Sequence, residues 1–103
     1  NLEVWREFND VRDVVRAYLE LTLSKPVGET FNVCSGHLVS LREVVTLASQ
    51  LTGHNIEINV KPAFVRANEV TRLGGDCSEL LRVVPDWKPR LISDTLAWML
   101  GKQ

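Results

Sequence analysis

Arg6-Glu7-Phe8-Asn9-Asp10-Val11-Arg12-Asp13-Val14-Val15-Arg16-Ala17-Tyr18 contains the change of period that decides the fold. Before it, residues 2–8 alternate, with Leu2, Val4 and Arg6 on one side and Trp5 on the other, as a short strand requires. From Asp10 the spacing lengthens. Val11, Val14, Val15, Tyr18 and Leu19 recur at i, i+3, i+4, i+7 and i+8, one apolar stripe of a helix. The Asp10 carboxylate can accept free amide protons of the first turn, and Asp13 adds negative charge where the helix dipole is positive. Tyr18 is expected to pack with the stripe, and Lys25-Pro26-Val27-Gly28 to end the helix.

Working outward, Thr30-Phe31-Asn32-Val33-Cys34 is a short, mostly apolar run between turn signals, the pattern of a parallel strand buried on both faces. Ser40-Leu41-Arg42-Glu43 is a capping box that opens a second helix, with Leu41, Val44, Val45, Ala48 and Leu51 as its stripe and Gly53 as its stop. Ile56, Ile58 and Val60 alternate with Asn55, Glu57 and Asn59, so a strand is expected up to Pro62. Residues 63–76 have no clean period and hold Arg66, Asn68, Glu69, Arg72 and Gly74-Gly75, the profile of an ordered loop that carries function. Asp76-Cys77-Ser78-Glu79 repeats the capping logic before a short helix that Pro85 ends. Ser93 is placed as the cap of a last helix with Leu96, Met99 and Leu100 inward and Lys102 near its negative end.

This order predicts one α/β domain over residues 1–103: a small, partial Rossmann-like unit with about three short strands and four helices. Its parallel strands should lie between helices. So thin a sheet leaves edge hydrogen-bonding groups and apolar surface uncovered, so another domain or a second copy of the chain is expected to complete it, and a homodimer is the natural form. The length of 103 residues, with 45% hydrophobic and 24% charged, suits one modest core. A net charge of −1 from 12 basic and 13 acidic residues argues against nucleic acid or an anionic membrane as partners. No apolar run approaches the roughly 20 residues of a membrane span, and a cytoplasmic location is expected. The first residue is Asn1 rather than methionine, which hints at a piece of a longer chain.

The chain lacks two kinds of machinery. No glycine-rich turn of the kind that lets amides approach a pyrophosphate occurs, and the single tyrosine, Tyr18, has Thr22 rather than lysine four residues on. Cys34 and Cys77 lack the spacing of a zinc site or a disulfide framework and are read as reduced, buried thiols. No catalytic, metal or cofactor-binding residue is assigned, and no cofactor is expected to bind this chain alone.

The distal segment of extended short-chain dehydrogenases, the NAD-dependent epimerase/dehydratase family, resembles this chain over nearly its whole length. The resemblance is carried by Arg6–Tyr18, Phe31–Gly36, Ser40–Glu43, Gly75–Leu80 and Asp86–Arg90, in the family's order. Arg-Glu-Phe followed by Asp-Val-Arg-Asp-Val-Val, and later Asn-Val-Cys-Ser-Gly, is most similar to the GDP-4-keto-6-deoxy-mannose reductases within it. The resemblance implies a carboxyl-terminal, nucleotide-sugar-binding part of an NAD(P)-dependent enzyme, partnered by an amino-terminal dinucleotide-binding half. It also implies that Arg6 and Arg66 contact a substrate diphosphate and that Glu69 bonds a ribose. Guanidinium groups offer planar, always-charged forks to phosphate, and a carboxylate accepts both protons of a diol. The chain departs from the family at Ala67, where relatives usually have proline, and at Pro85-Asp86, where they favour leucine-glycine.

Plainer readings stand beside these. Arg6 could pair in solvent with Glu7 or Asp10, and Arg66 and Glu69 could form a surface i,i+3 ion pair, with Arg72 as a spare candidate. Trp5, Trp87 and Trp98 could stack a base but more often serve a core or an interface. A non-enzymatic, self-associating or partner-binding remnant is the alternative function. A site built on Cys34 with His37 as base is a third.

Overall fold

The computed structural model describes residues 2–24, 27–64 and 66–102. In chain order the elements are β1 (Trp5–Arg6), α1 (Val11–Ser24), β2 (Val39–Ser40), α2 (Leu41–Thr52), a 3₁₀ turn at Pro62–Phe64, β3 (Arg72–Leu73), α3 (Ser78–Val83) and α4 (Ile92–Met99). Three short strands and four helices in an open α/β arrangement are as expected, but two of the strands come from other segments. The sheet runs β2-β1-β3, with β1 antiparallel to β2 and parallel to β3. It is therefore mixed, and only β1 falls in a predicted strand.

Thr30–Cys34 takes no strand pairing among the described residues: Asn32 is exposed, Phe31 and Val33 are half-buried, and only Cys34 is buried. A strand buried on both faces needs neighbouring strands and two covering layers, and the described residues supply neither. Residues 55–60 are likewise irregular, with Ile58 and Val60 exposed. Alternation there marks a face that wants covering, without a neighbour in this chain to pair with.

α1 forms where the period places it. The Asp10 carboxylate accepts the Arg12 amide at 2.8 Å, and the Asp10 carbonyl takes the amides of Asp13 and Val14. The face it buries is a different one. Asp13 and Ala17 are buried and Leu21 is half-buried, whereas Val11, Val15, Tyr18 and Leu19 are 57–66% exposed. The carboxyl-terminal part of the chain docks on the Asp13–Ala17 side, so all of the apolar stripe but the half-buried Val14 stays uncovered, Tyr18 included. Lys25 and Pro26, read as the terminator of this helix, lie outside the described residues.

α2 opens on the expected cap, with the Ser40 hydroxyl accepting the Glu43 amide at 3.1 Å. It closes at Gly53, whose φ of 67° is a left-handed conformation that a side chain would resist. Its stripe is half-buried against β2 and α4. α3 starts after Asp76, whose carboxylate accepts the Ser78 amide at 2.9 Å. α4 begins one residue before Ser93. The Leu91 carbonyl receives the amides of Asp94 and Thr95, so Ser93 lies inside the first turn and is not the cap. Met99 and Leu100 are exposed and Thr95 is the buried position, because a buried carboxylate offers its hydroxyl an acceptor.

The core is Ala17 of α1, Leu80 and Val84 at α3, and Trp87, with Leu21, Val33 and Val83 packed around them. Trp87 donates its indole N–H to the Cys34 carbonyl at 2.9 Å, which ties the α3–α4 turn to the Thr30–Cys34 segment.

Candidate functional site

β1 lies at the centre of the sheet, and Arg6 is paired there with Val39 on one side and Leu73 on the other. This ladder fixes the backbone that carries the guanidinium. Nη1 donates to the Trp5 carbonyl at 2.8 Å, and Nη2 donates to Oε1 of Glu69 at 3.0 Å. Both side chains keep about a quarter of their surface in water, 26% for Arg6 and 24% for Glu69. Residues 63 positions apart are thus joined at a partly open ion pair. Glu69 stands in the irregular stretch before β3. Arg66, three residues earlier, is exposed and forms no ion pair among the described residues.

Neither plain pairing occurs as drawn from the sequence. Glu7 is engaged by the Gly36 amide at 2.5 Å, the Gly75 amide at 2.7 Å and the Ser35 hydroxyl at 3.3 Å. This carboxylate stitches the loop before β2 to the loop after β3, and Gly75 is glycine because a Cβ there would meet the Cys34 sulfur at 3.1 Å and Glu7 Oε2 at 3.3 Å. Asp10, 2% exposed, is occupied by Arg12 at 2.8 and 3.0 Å and by the Thr95 hydroxyl at 2.7 Å. The Arg12 side-chain bonds chiefly hold its carboxyl well below the usual carboxylate range, against the opposing effect of burial. Asp13 accepts the Arg90 amide at 2.8 Å and is paired with the Arg90 guanidinium.

Arg72 is not available beside Arg6. Its guanidinium lies over the Trp5 ring at 4.6 Å, and residues paired directly across a sheet share a face while successive residues alternate. Trp5 and Arg72 therefore occupy the face opposite Arg6. The other indoles are also engaged, with Trp98 beneath Arg12 at 3.9 Å and Trp87 in the core. Cys34 is buried, and burial above all, helped by the Cys77 thiol and the Glu7 carboxylate, pushes its thiol up to about 12. A thiol protonated at neutral pH has lost the nucleophilicity a Cys34–His37 site needs. Cys77 is only half-buried, short of the burial expected for it. Among the described residues, no group of three or more His, Cys, Asp or Glu is disposed to hold a metal ion, and no helix is long and apolar enough to cross a membrane.

Sequence reasoning missed Glu7 as a junction of two loops and missed the long-range partners of Asp10 and Asp13. The residue types were visible, but a carboxylate near a helix start signals a cap and nothing about an arginine 77 residues away.

A strand-borne arginine thus meets an acid from the irregular stretch before β3, and an exposed arginine lies three residues before that acid in the chain. No family model matches the chain. It is 35% identical over 91 residues to the GDP-6-deoxy-D-mannose reductase of Pseudomonas aeruginosa, which is 88% of this chain and 30% of the relative. It is 31% identical over 84 residues to the GDP-6-deoxy-D-talose 4-dehydrogenase of Aggregatibacter actinomycetemcomitans, 82% of this chain and 29% of that one. Among solved structures, a candidate epimerase from Burkholderia cenocepacia J2315 superimposes with a TM-score of 0.93 at 46% identity over 98% of this chain and 33% of its own. RMD from Pseudomonas aeruginosa, solved with NADPH, gives 0.85 at 33% identity over 99% and 33%.

The chain is similar in sequence and fold to nucleotide-sugar reductases and epimerases of the short-chain dehydrogenase/reductase type, and spans about a third of the length of the relatives it matches.

Proposed function

We propose that this chain is the nucleotide-sugar-binding segment of an NAD(P)-dependent nucleotide-sugar reductase, epimerase or dehydratase, with a GDP-sugar as ligand, and that it is not catalytic alone. The observation that carries the reading is the meeting of Arg6 and Glu69 at one partly solvated point, with Arg66 on the same stretch as Glu69. Arg6 and Arg66 hold the diphosphate, and Glu69 receives the ribose hydroxyls. The names of the relatives, a GDP-sugar reductase and a GDP-sugar dehydrogenase, support the base.

The residues present do not suit a dinucleotide. The Gly36 and Gly75 amides are already taken by Glu7, and no glycine-rich turn opens a helix. NAD(P) therefore belongs to a separate dinucleotide-binding half, which would seat on the uncovered Val11–Leu19 stripe of α1 and pair with the unladdered Thr30–Cys34 run.

Calorimetric titration of GDP and GDP-mannose into the chain tests this. Weak binding is expected, since a partial site leaves the ligand solvated, and Arg6→Ala should abolish it. Flat heats at millimolar nucleotide would remove the reading. The exposed α1 stripe also favours a second one, a self-associating remnant that buries this stripe between two copies. Light scattering that finds only monomer at high concentration would dispose of that alternative.

A further inference from the structure

We infer that Cys34 and Cys77 are a reversible redox pair: a peroxide oxidises the more accessible Cys77 thiol, and Cys34 condenses with it to an intrachain disulfide. The two thiols face each other across two loops. Gly75, two residues before Cys77, lies where a Cβ would meet the Cys34 sulfur at 3.1 Å. Gly36, two residues after Cys34, lies where a Cβ would meet the Cys77 sulfur at 3.6 Å. Each cysteine's own loop therefore touches the other's sulfur, and the Cys77 side chain stands in hydrogen-bond contact with Cys34. The Glu7 carboxylate fixes this approach, since it accepts the Gly36 amide at 2.5 Å and the Gly75 amide at 2.7 Å. Neither sulfur is held by a strong bond elsewhere. The Cys34 thiol has a long contact of 3.9 Å to the Asn32 carbonyl, and Cys77, at the start of α3, makes no capping bond with its side chain.

Both cysteines are free, Cys34 buried and Cys77 half-buried, so an oxidant from solvent reaches Cys77 first. The Cys77 sulfur attacks one peroxide oxygen. An S–O bond forms, the O–O bond breaks, and the departing hydroxide leaves as water with the thiol proton. Cys34 then attacks the Cys77 sulfur. An S–S bond forms, the S–O bond breaks, and the hydroxyl leaves as a second water with the Cys34 proton. Two thiols have lost two electrons and two protons, and the peroxide has taken up both. A neutral sulfenic acid at Cys77 no longer opposes ionisation of Cys34, which leaves burial and the Glu7 and Asp76 carboxylates to oppose it. The bond ties the Thr30–Cys34 run to α3 and closes the chain between them, α2 and the irregular stretch included, into one loop. In reducing surroundings a dithiol undoes it, which is the behaviour of a sensor and not of a permanent staple.

The test treats the whole chain with a small excess of hydrogen peroxide and follows free thiols, intact mass and a peptide map. Wild type should lose both thiols and two hydrogens as a monomer, yield a peptide linking Cys34 to Cys77, and recover both thiols with dithiothreitol. Its urea midpoint should rise by about 1 M or more on oxidation, because the bond constrains a long loop of the unfolded chain. In Cys34→Ser, dimedone should trap a sulfenic acid at Cys77 and the midpoint should not rise. Cys77 passing to sulfinic or sulfonic acid in wild type while Cys34 stays free would overturn the pair, as would disulfides found only between chains. An intrachain bond that leaves the midpoint unchanged would overturn the restraint it is held to impose. The wild-type measurements need no variant, so a variant that fails to fold leaves the outcome decided.

Discussion

Replacing Asp10 by alanine should cost more stability than a surface carboxylate normally contributes. Asp10 is 2% exposed and its side chain accepts from the Arg12 amide, the Arg12 guanidinium and the Thr95 hydroxyl. Loss of the helix cap costs about 1 kcal/mol. Loss of the charge-assisted and hydroxyl bonds adds about 2 kcal/mol, since the buried Thr95 hydroxyl keeps only a long contact of 3.4 Å to the Leu91 carbonyl. The sum of about 3 kcal/mol is large against the roughly 5–15 kcal/mol of an ordinary domain. At a slope of about 1.5 kcal/mol per molar urea, the unfolding midpoint should fall by about 2 M. The pH dependence has a definite sign. Asp10 is held below its usual 3.8 in the folded chain, so its contribution is complete above that value and disappears as pH falls through the lower, folded value. The gap between wild type and Asp10→Asn should therefore narrow only below about pH 4. A midpoint shift under about 0.3 M, or a gap that does not change with acid, would refute the reasoning.

Trp87→Phe removes the indole N–H that bonds the Cys34 carbonyl and should cost about 1–2 kcal/mol in urea unfolding. Gly53→Ala imposes a side chain on a φ of 67° and should lower stability by about 1 kcal/mol, read as a fall in Tm. Iodoacetamide at pH 8 should label Cys77 in the folded chain and spare Cys34, which burial keeps protonated, with both reacting once the chain is unfolded; equal native labelling would contradict the burial argument.

Local chemistry was legible in the sequence and pairing was not. The Asp10 and Ser40 caps and the Gly53 stop depend on neighbours within a few residues, and the structure shows them. Thr30–Cys34 and residues 55–60 have strand composition, but a strand is completed by a partner, and none of the described residues provides one. Periodicity identified the Val11–Leu19 face as wanting cover. It could not tell that this chain would instead bury Asp13 and Ala17, through contacts with Arg90 and the α3 region. The real strands β2 and β3 are two residues each, too short to show a period. At the site, the resemblance named Arg6, Arg66 and Glu69. The Arg6–Glu69 contact itself spans 63 residues and follows from the parallel pairing of β1 with β3, a register that no local pattern encodes.

If Arg6 and Arg66 serve one diphosphate, phosphorus-31 NMR of GDP titrated with the chain reads that contact at the atoms concerned. Both phosphorus resonances should shift on adding wild-type chain, and Arg6→Ala and Arg66→Ala should each reduce the shift sharply. Unchanged shifts in either variant would contradict it.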